Sequence, residues 1–517
     1  MKAVVFCHFH HRSAEYNKHR ASKLEQQLAA QEENEIVESV LSYYKAYLKC
    51  KNIGLVYVYV DTGIRQVLDN IFMGEGKIDI DINELAFEHT VRNILKLAED
   101  QALRELSMDE NFDASTAPKF QFIGLPHLST LIASLYRMDK DLVKNLAGRD
   151  SFTYDAPKFV EAVIRLARGN DPLLSGDPVL RFDQDVEVNE DGIDALLKKI
   201  HNAIIRRHGF SFFSGGYGRP DINDAVNDHA VRCHWLANIQ DNDQPPYHLI
   251  PQGEYFLRDI GEFGATSIPN SKKVSASTGM KNYLINLHQG DRSANRDSEQ
   301  VISGAGLYMS QSAILRLPPF MNFENNIIWV DDYLKRRLHE AIGDLAVADL
   351  EHVEGGLFHQ DRYPAGIRQS DLDWAKNTYF YRLISGCIMH ALIVTRTGEQ
   401  SELAKFVDNF LRTHHRASND EFSELAIKFM DIAQKTTLAL LEIWSKADYG
   451  NDILQKWAIE NQKELFEKGS GELAKWINST VQDAIHYCKL VENWNEYVVA
   501  IQALVPRDAY WLFRSIN

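Results

Sequence analysis

Asp183 and Asp185 are the residues of this sequence whose types and spacing speak most directly of chemistry. They lie in residues 178–197, PVLRFDQDVEVNEDGIDALL. Residues 178–182 form an apolar run of strand length, and the acids follow at its end. After Glu190-Asp191-Gly192, the spacing of Ile193, Leu196 and Leu197 predicts a helix with an acidic first turn. Two acids one residue apart in a strand share a side, because side chains alternate with period two. Like charges so placed favour a partner that neutralises both. A divalent cation with oxygen ligands does this, and a phosphate-bearing substrate can complete its shell.

The spacing alone does not decide the matter. Asp79/Asp81, Asp139/Asp141, Asp241/Asp243 and Asp371/Asp373 repeat it, and these read as solvated loop, turn or helix-surface acids. What separates Asp183/Asp185 is the strand before them and the helix after.

The elements that must position these acids are legible in outline. Residues 3–8 read as a buried strand, 34–50 as a helix, and 53–60 (IGLVYVYV) as a second strand ending in Asp61-Thr62-Gly63. This is a parallel βαβ opening, and in open α/β sheets ligands bind beyond the carboxyl ends of strands. Asp61 is therefore a candidate contact to a ribose or base, or an ordinary acid in a turn. Helices are predicted over 82–108, 128–146 and 158–168, and a strand over 120–125. Residues 211–273 carry weak signals. Within them Ser214-Gly215-Gly216-Tyr217-Gly218 lacks the Gly-Lys-Ser/Thr of a phosphate-binding loop and reads as an active-site loop or an antiparallel β excursion. Order resumes at 301–316. Asp331-Asp332 then open a basic helix, Lys335-Arg336-Arg337 included, where the helix dipole favours acids and a general base can also sit. A strand-like segment, 350–358, ends at His359. From 374 onward the chain is almost wholly helical.

Composition narrows the classes. The 517 residues carry a net charge of −16 with 45% hydrophobic residues, the balance of a folded protein rather than a nucleic-acid binder. Five scattered cysteines without Cys-x-x-Cys spacing predict reduced thiols in a cytoplasmic protein. The longest apolar run, 383–394, contains His390 and is too short to span a bilayer. This predicts a soluble chain and leaves peripheral membrane contact open.

Taken together, four stretches resemble the inverting nucleotide-sugar glycosyltransferases of the GT-A fold, close to the group called glycosyltransferase family two. Residues 3–8 and 56–63 resemble the family's first two strands, with Asp61 at the nucleotide-contacting acid. RLARGND (165–171) followed by DPVLRFDQDVEVNEDGIDALL resembles its "ARN…GDYVLFLDDDV" run. SGAGLYMSQSAILRLPPF…WVDDYLKRRL resembles the acceptor-side segment with its catalytic acids. GGLFHQDR and DWAKNTYFYRLI resemble the late metal-ligand histidine and an aromatic-x-x-Arg helix. The last two look most like galactofuranosyltransferases.

The resemblance covers roughly residues 1–390, in patches. It implies an α/β GT-A fold, Rossmann-like with a mostly parallel central sheet flanked by helices. The catalytic domain would be 1–375, with a helical C-terminal domain over 376–517. The distance from Asp61 to Asp183 exceeds the family's and implies a helical insertion around 65–150. It further implies Mn²⁺ or Mg²⁺ on Asp183, Asp185 and His359. The donor would be a nucleoside-diphosphate sugar, a UDP-sugar first, touched by Asp61, Asp183, Arg168 and Arg382. The acceptor would be a hydroxyl of a glycan. Aligning Arg337-Leu338 with the family's Arg-Leu makes Asp331 the base, whereas aligning the acidic pair itself favours Asp332; Asp331 is taken first. A homo-oligomer contact, if present, is expected on the C-terminal helices. The competing classes are a nucleotidyltransferase acting on sugar phosphates and a non-catalytic sugar-nucleotide scaffold.

Overall fold

In the computed structural model the described residues are 2–10, 41, 43–61, 82–138, 160–166, 178–183, 186–187, 212–215, 217–218, 307–309, 311–318, 347–350, 357–359, 401–413, 416–446, 452–468 and 471–508, with parts of 193–200, 334–342 and 381–393. The mixed α/β reading holds. The first strands are β1 (Ala3–His10), β2 (Ile53–Asp61), β3 (Lys119–Ile123) and β4 (Val179–Asp183). They lie side by side in the order β3-β2-β1-β4, all parallel. The sheet continues through β8 (Leu307–Met309), β6 (Phe212–Gly215) and β9 (Val347–Leu350). β8 is antiparallel to both β4 and β6, and β6 is parallel to β9. Hence β6 and β9 point the same way as β4.

β1, β2 and β4 are buried on both faces along their described side chains, which is why they read as apolar runs. On β1, Val4 and Phe6 enter one core while Ala3, Val5 and Cys7 enter the other. On β2, Leu55, Tyr57 and Tyr59 join the first, and Ile53, Val56 and Val58 the second. The parity breaks at Gly54, where the register slips between Ala3 and Val4. A Cβ on Gly54 would lie 3.3 Å from the Lys2 side chain, so a bulge residue without a side chain suits the spot.

The helices sort by face as right-handed crossovers require. The β1-to-β2 and β2-to-β3 connections move one way along the sheet. Their helices, residues 43–49 and α1 (Ile82–Leu106), cover the second core. The return from β3 to β4 runs the other way. Its helices, α2 (Leu125–Met138) and residues 160–166, cover the first.

α2 starts at Leu125 rather than 128, directly after β3. The span read as a helical insertion thus also supplies a strand of the main sheet. The segment expected as one strand over 350–358 is two, β9 and β10 (Leu357–His359), so His359 lies inside a strand instead of after one. A two-residue strand, β5 (Val186–Glu187), directly follows Asp185 and had no sequence signal.

α3 (Gln311–Arg316), α4 (Glu402–Thr413), α5 (Asn419–Lys446), α6 (Asp452–Lys468) and α7 (Glu472–Asp508) complete the chain. α7 packs against α2, α3, α4, α5 and α6. Its Trp494 indole donates to the Ile314 carbonyl at 2.6 Å, and Thr480 shares a 2.8 Å hydroxyl hydrogen bond with Ser385. The C-terminal helices and the first face of the sheet form one continuous core. Cys7, Cys50, Cys387 and Cys488 are buried thiols outside any disulfide, and burial pushes the Cys387 and Cys488 thiols up, so those two stay protonated. Among the described residues no helix is long and apolar enough to cross a membrane.

Inside the first core lies an ionic cluster. Glu161 (1% exposed) accepts from Arg165 (6%) at 2.7 and 2.9 Å, and Arg181 (5%) on β4 donates to its other oxygen at 3.4 Å. Breaking a buried ion pair by removing one member leaves an uncompensated charge. Glu161→Leu is therefore expected to lower unfolding free energy by about 3–5 kcal/mol, read by urea denaturation followed by far-UV circular dichroism. A loss below ~1 kcal/mol would show that the cluster is solvated.

Candidate functional site

The sheet changes direction at β1. β2 lies on one side of it and β4 on the other, and the crevice at such a switch point, beyond the carboxyl ends, is where open α/β sheets bind ligands. The residues there are polar. Asp183 is the last residue of β4 and is in register with His8; Asp61 is the last residue of β2 and is in register with His10. With β1 between them, Asp61 and Asp183 stand two strand spacings apart across the sheet, about 10 Å, and two residues apart along it, about 7 Å.

A second, three-stranded sheet in the order β5-β10-β7 includes β7 (Tyr217–Gly218). β10 pairs antiparallel with β5, setting His359 opposite Val186 and Phe358 opposite Glu187. It pairs parallel with β7, setting Leu357 beside Tyr217 and Phe358 beside Gly218. Val186 immediately follows Asp185, so the backbone brings His359 to the strand that begins where the Asp183-x-Asp185 spacing ends. Two residues more than 170 positions apart in the chain thereby share one register.

Carboxylate oxygens from Asp183 and Asp185 with an imidazole nitrogen from His359 make a donor set suited to Mn²⁺ or Mg²⁺. Among the described residues no group of three or more His, Cys, Asp or Glu is gathered closely enough to hold a metal. Asp185 lies outside the described residues, as do Arg168, Asp331, Asp332 and Arg382.

The surroundings fix β4 and β1 rather than react. Arg181, two residues before Asp183, ties β4 to residues 160–166 through Glu161. Beneath β1, burial holds the Tyr47 phenol well above its usual range, aided by Cys7, and burial does the same for Tyr44, aided by the Glu99 charge. Both phenols stay neutral and form an uncharged floor.

Several residues of this region carried no functional sequence reading. His8 and His10 look unremarkable until β1 is seen to end between two acid-bearing strands; the switch-point rule applied to the first strand would have found them. Lys335 and His339, read as part of a basic surface helix, are 4% and 5% exposed. They follow Leu334 and Leu338 on the shoulder of one buried helical face.

Comparison with known proteins adds no relative. No protein-family model matches this chain, and no curated protein does either.

The donor set makes a direct prediction. Mn²⁺ titrated into the full chain and followed by electron paramagnetic resonance of the free ion should bind at one tight site. Asp185→Ala and His359→Ala should each weaken that site by about tenfold or more. Wild-type affinity in both variants would remove the metal from this edge.

Proposed function

We propose that this chain is a metal-dependent inverting glycosyltransferase of the GT-A fold. It would move a sugar from a nucleoside-diphosphate sugar to a hydroxyl of a glycan acceptor. The observation that carries this reading is the meeting of β4, β5 and β10: an acid closes β4 at the switch point, and His359 registers beside the strand that follows Asp185. The parallel β3-β2-β1-β4 sheet, ending in Asp61 and Asp183, supports the same reading. A cytoplasmic catalytic domain over 1–375, with helices 376–517 buttressing it, belongs to this proposal.

In this reading Asp61 contacts the nucleoside, and Arg168 and Arg382 bring positive charge to the diphosphate. Asp183, Asp185 and His359 hold Mn²⁺ or Mg²⁺, which when bound stabilises the charge of the departing nucleoside diphosphate. Asp331, or Asp332 in the other alignment, accepts the proton of the acceptor hydroxyl as its oxygen bonds to the anomeric carbon. The bond from that carbon to the phosphate oxygen breaks with its electron pair leaving on the diphosphate. One displacement inverts the anomeric configuration.

The test is turnover of the full chain with UDP-sugars and Mn²⁺. Slow release of UDP without acceptor is expected. Release of pyrophosphate from a nucleoside triphosphate instead would make the protein a nucleotidyltransferase, and neither release would leave a binding scaffold. Asp331→Asn should keep UDP-sugar affinity within about twofold and lose transfer by about 10²–10⁴-fold, with Asp332→Asn losing less. The opposite ranking in steady-state kinetics would assign the base to Asp332.

A further inference from the structure

β4, β6 and β9 point the same way, and each passes over its carboxyl end into a strand of the second sheet. β4 leads to β5 across residues 184–185, β6 leads to β7 across residue 216, and β9 leads to β10 across 351–356. The second sheet therefore adjoins the carboxyl edge between β4 and β9. On it, Tyr217 registers with Leu357, and His359 is two residues farther along β10. Alternate positions of a strand share a face, so Tyr217 and His359 hold positions on the same face of this small sheet.

The position of Tyr217 along the main edge can be bounded. β6 is two strand spacings from β4, on the side away from β2. Tyr217 is two residues past Gly215, the last residue of β6, or at most about 7 Å of chain. From Asp61 to Gly215 the edge spans four spacings, about 19 Å, with Asp183 in the middle. A sugar nucleotide extended along this edge, with its nucleoside over β2 and its diphosphate over β4, carries its sugar toward the β6-to-β7 crossing. Chain-distant elements thus converge on an aromatic residue at the end of the edge where the transferred group would lie.

We propose that Tyr217 is a donor-sugar contact that discriminates among the sugars this protein accepts. A tyrosine supplies a flat apolar ring for the carbon-bound face of a pyranose or furanose, and a hydroxyl that both donates to and accepts from sugar hydroxyls. The inference rests on the glycosyltransferase reading above.

Isothermal titration of the full chain with UDP, UDP-glucose, UDP-galactose and UDP-N-acetylglucosamine, each with Mn²⁺, tests it. Tyr217→Ala is expected to leave UDP affinity within twofold while the best-bound UDP-sugar loses tenfold or more. Equal affinity of wild type and Tyr217→Ala for that UDP-sugar overturns the assignment, as does an equal loss of UDP and UDP-sugar. Should Tyr217→Ala lose its helical circular dichroism, Tyr217→Trp is read instead. It is expected to re-rank the three UDP-sugars with UDP affinity held, and an unchanged ranking overturns the assignment. A wild-type chain that binds none of the four overturns the glycosyltransferase reading and this assignment with it.

Discussion

β1 has no free side. Its backbone is paired to β2 along one edge and to β4 along the other, and its side chains enter a separate core on each face. A strand so enclosed cannot carry a polar group until it emerges, because an unpaired polar group in such a setting costs free energy. The chemistry of this protein is accordingly displaced to where the strands end. His8, His10, Asp61 and Asp183 gather there because that is where the sheet first tolerates them. The strand order also reverses at β1, and such switch points are where open α/β sheets bind ligands.

The second sheet adjoins that edge. β5, β7 and β10 are too short to stand alone, and each exists because a main-sheet strand delivers it. β4 must be held for this to work. The Glu161–Arg165–Arg181 cluster does so at a desolvation cost, two residues from Asp183. A hydrophobic contact would stabilise the strand as well, and the ion cluster adds a directional tie between β4 and residues 160–166. That an expensive buried ion cluster adjoins the acid-bearing end of β4 is consistent with position mattering there more than stability.

How much of this was legible depended on range. β1, β2 and β4 were readable within a residue or two, and the C-terminal helices as a helical region, because apolar periodicity is local. Within that region α7 is one helix, to Asp508. β5 was not legible as a strand, β7 lay within a stretch read as a loop or a β excursion, and β10 was read as the end of a longer strand. Two or three residues carry no period, and their pairing is set by partners as much as 170 positions away. Of the site, Asp61, Asp183 and His359 could be singled out from the sequence, but His359 rested on family position, and its neighbour Val186 was invisible. The burial of Lys335 was not legible for a related reason. A cation beside leucines at helical spacing takes its burial from whatever packs over it, and the sequence does not name that partner.

α7 runs 37 residues, about 55 Å at 1.5 Å per residue. It reaches from α5 and α6 to α2 and α3 and is pinned to α3 by the Trp494 indole. α3 follows β8, the strand between β4 and β6. α7 is thus a keel for the strands of the main sheet. A chain ending near residue 400 would not be a lighter form of the same molecule, since it would lack much of the core on which one face of the sheet rests.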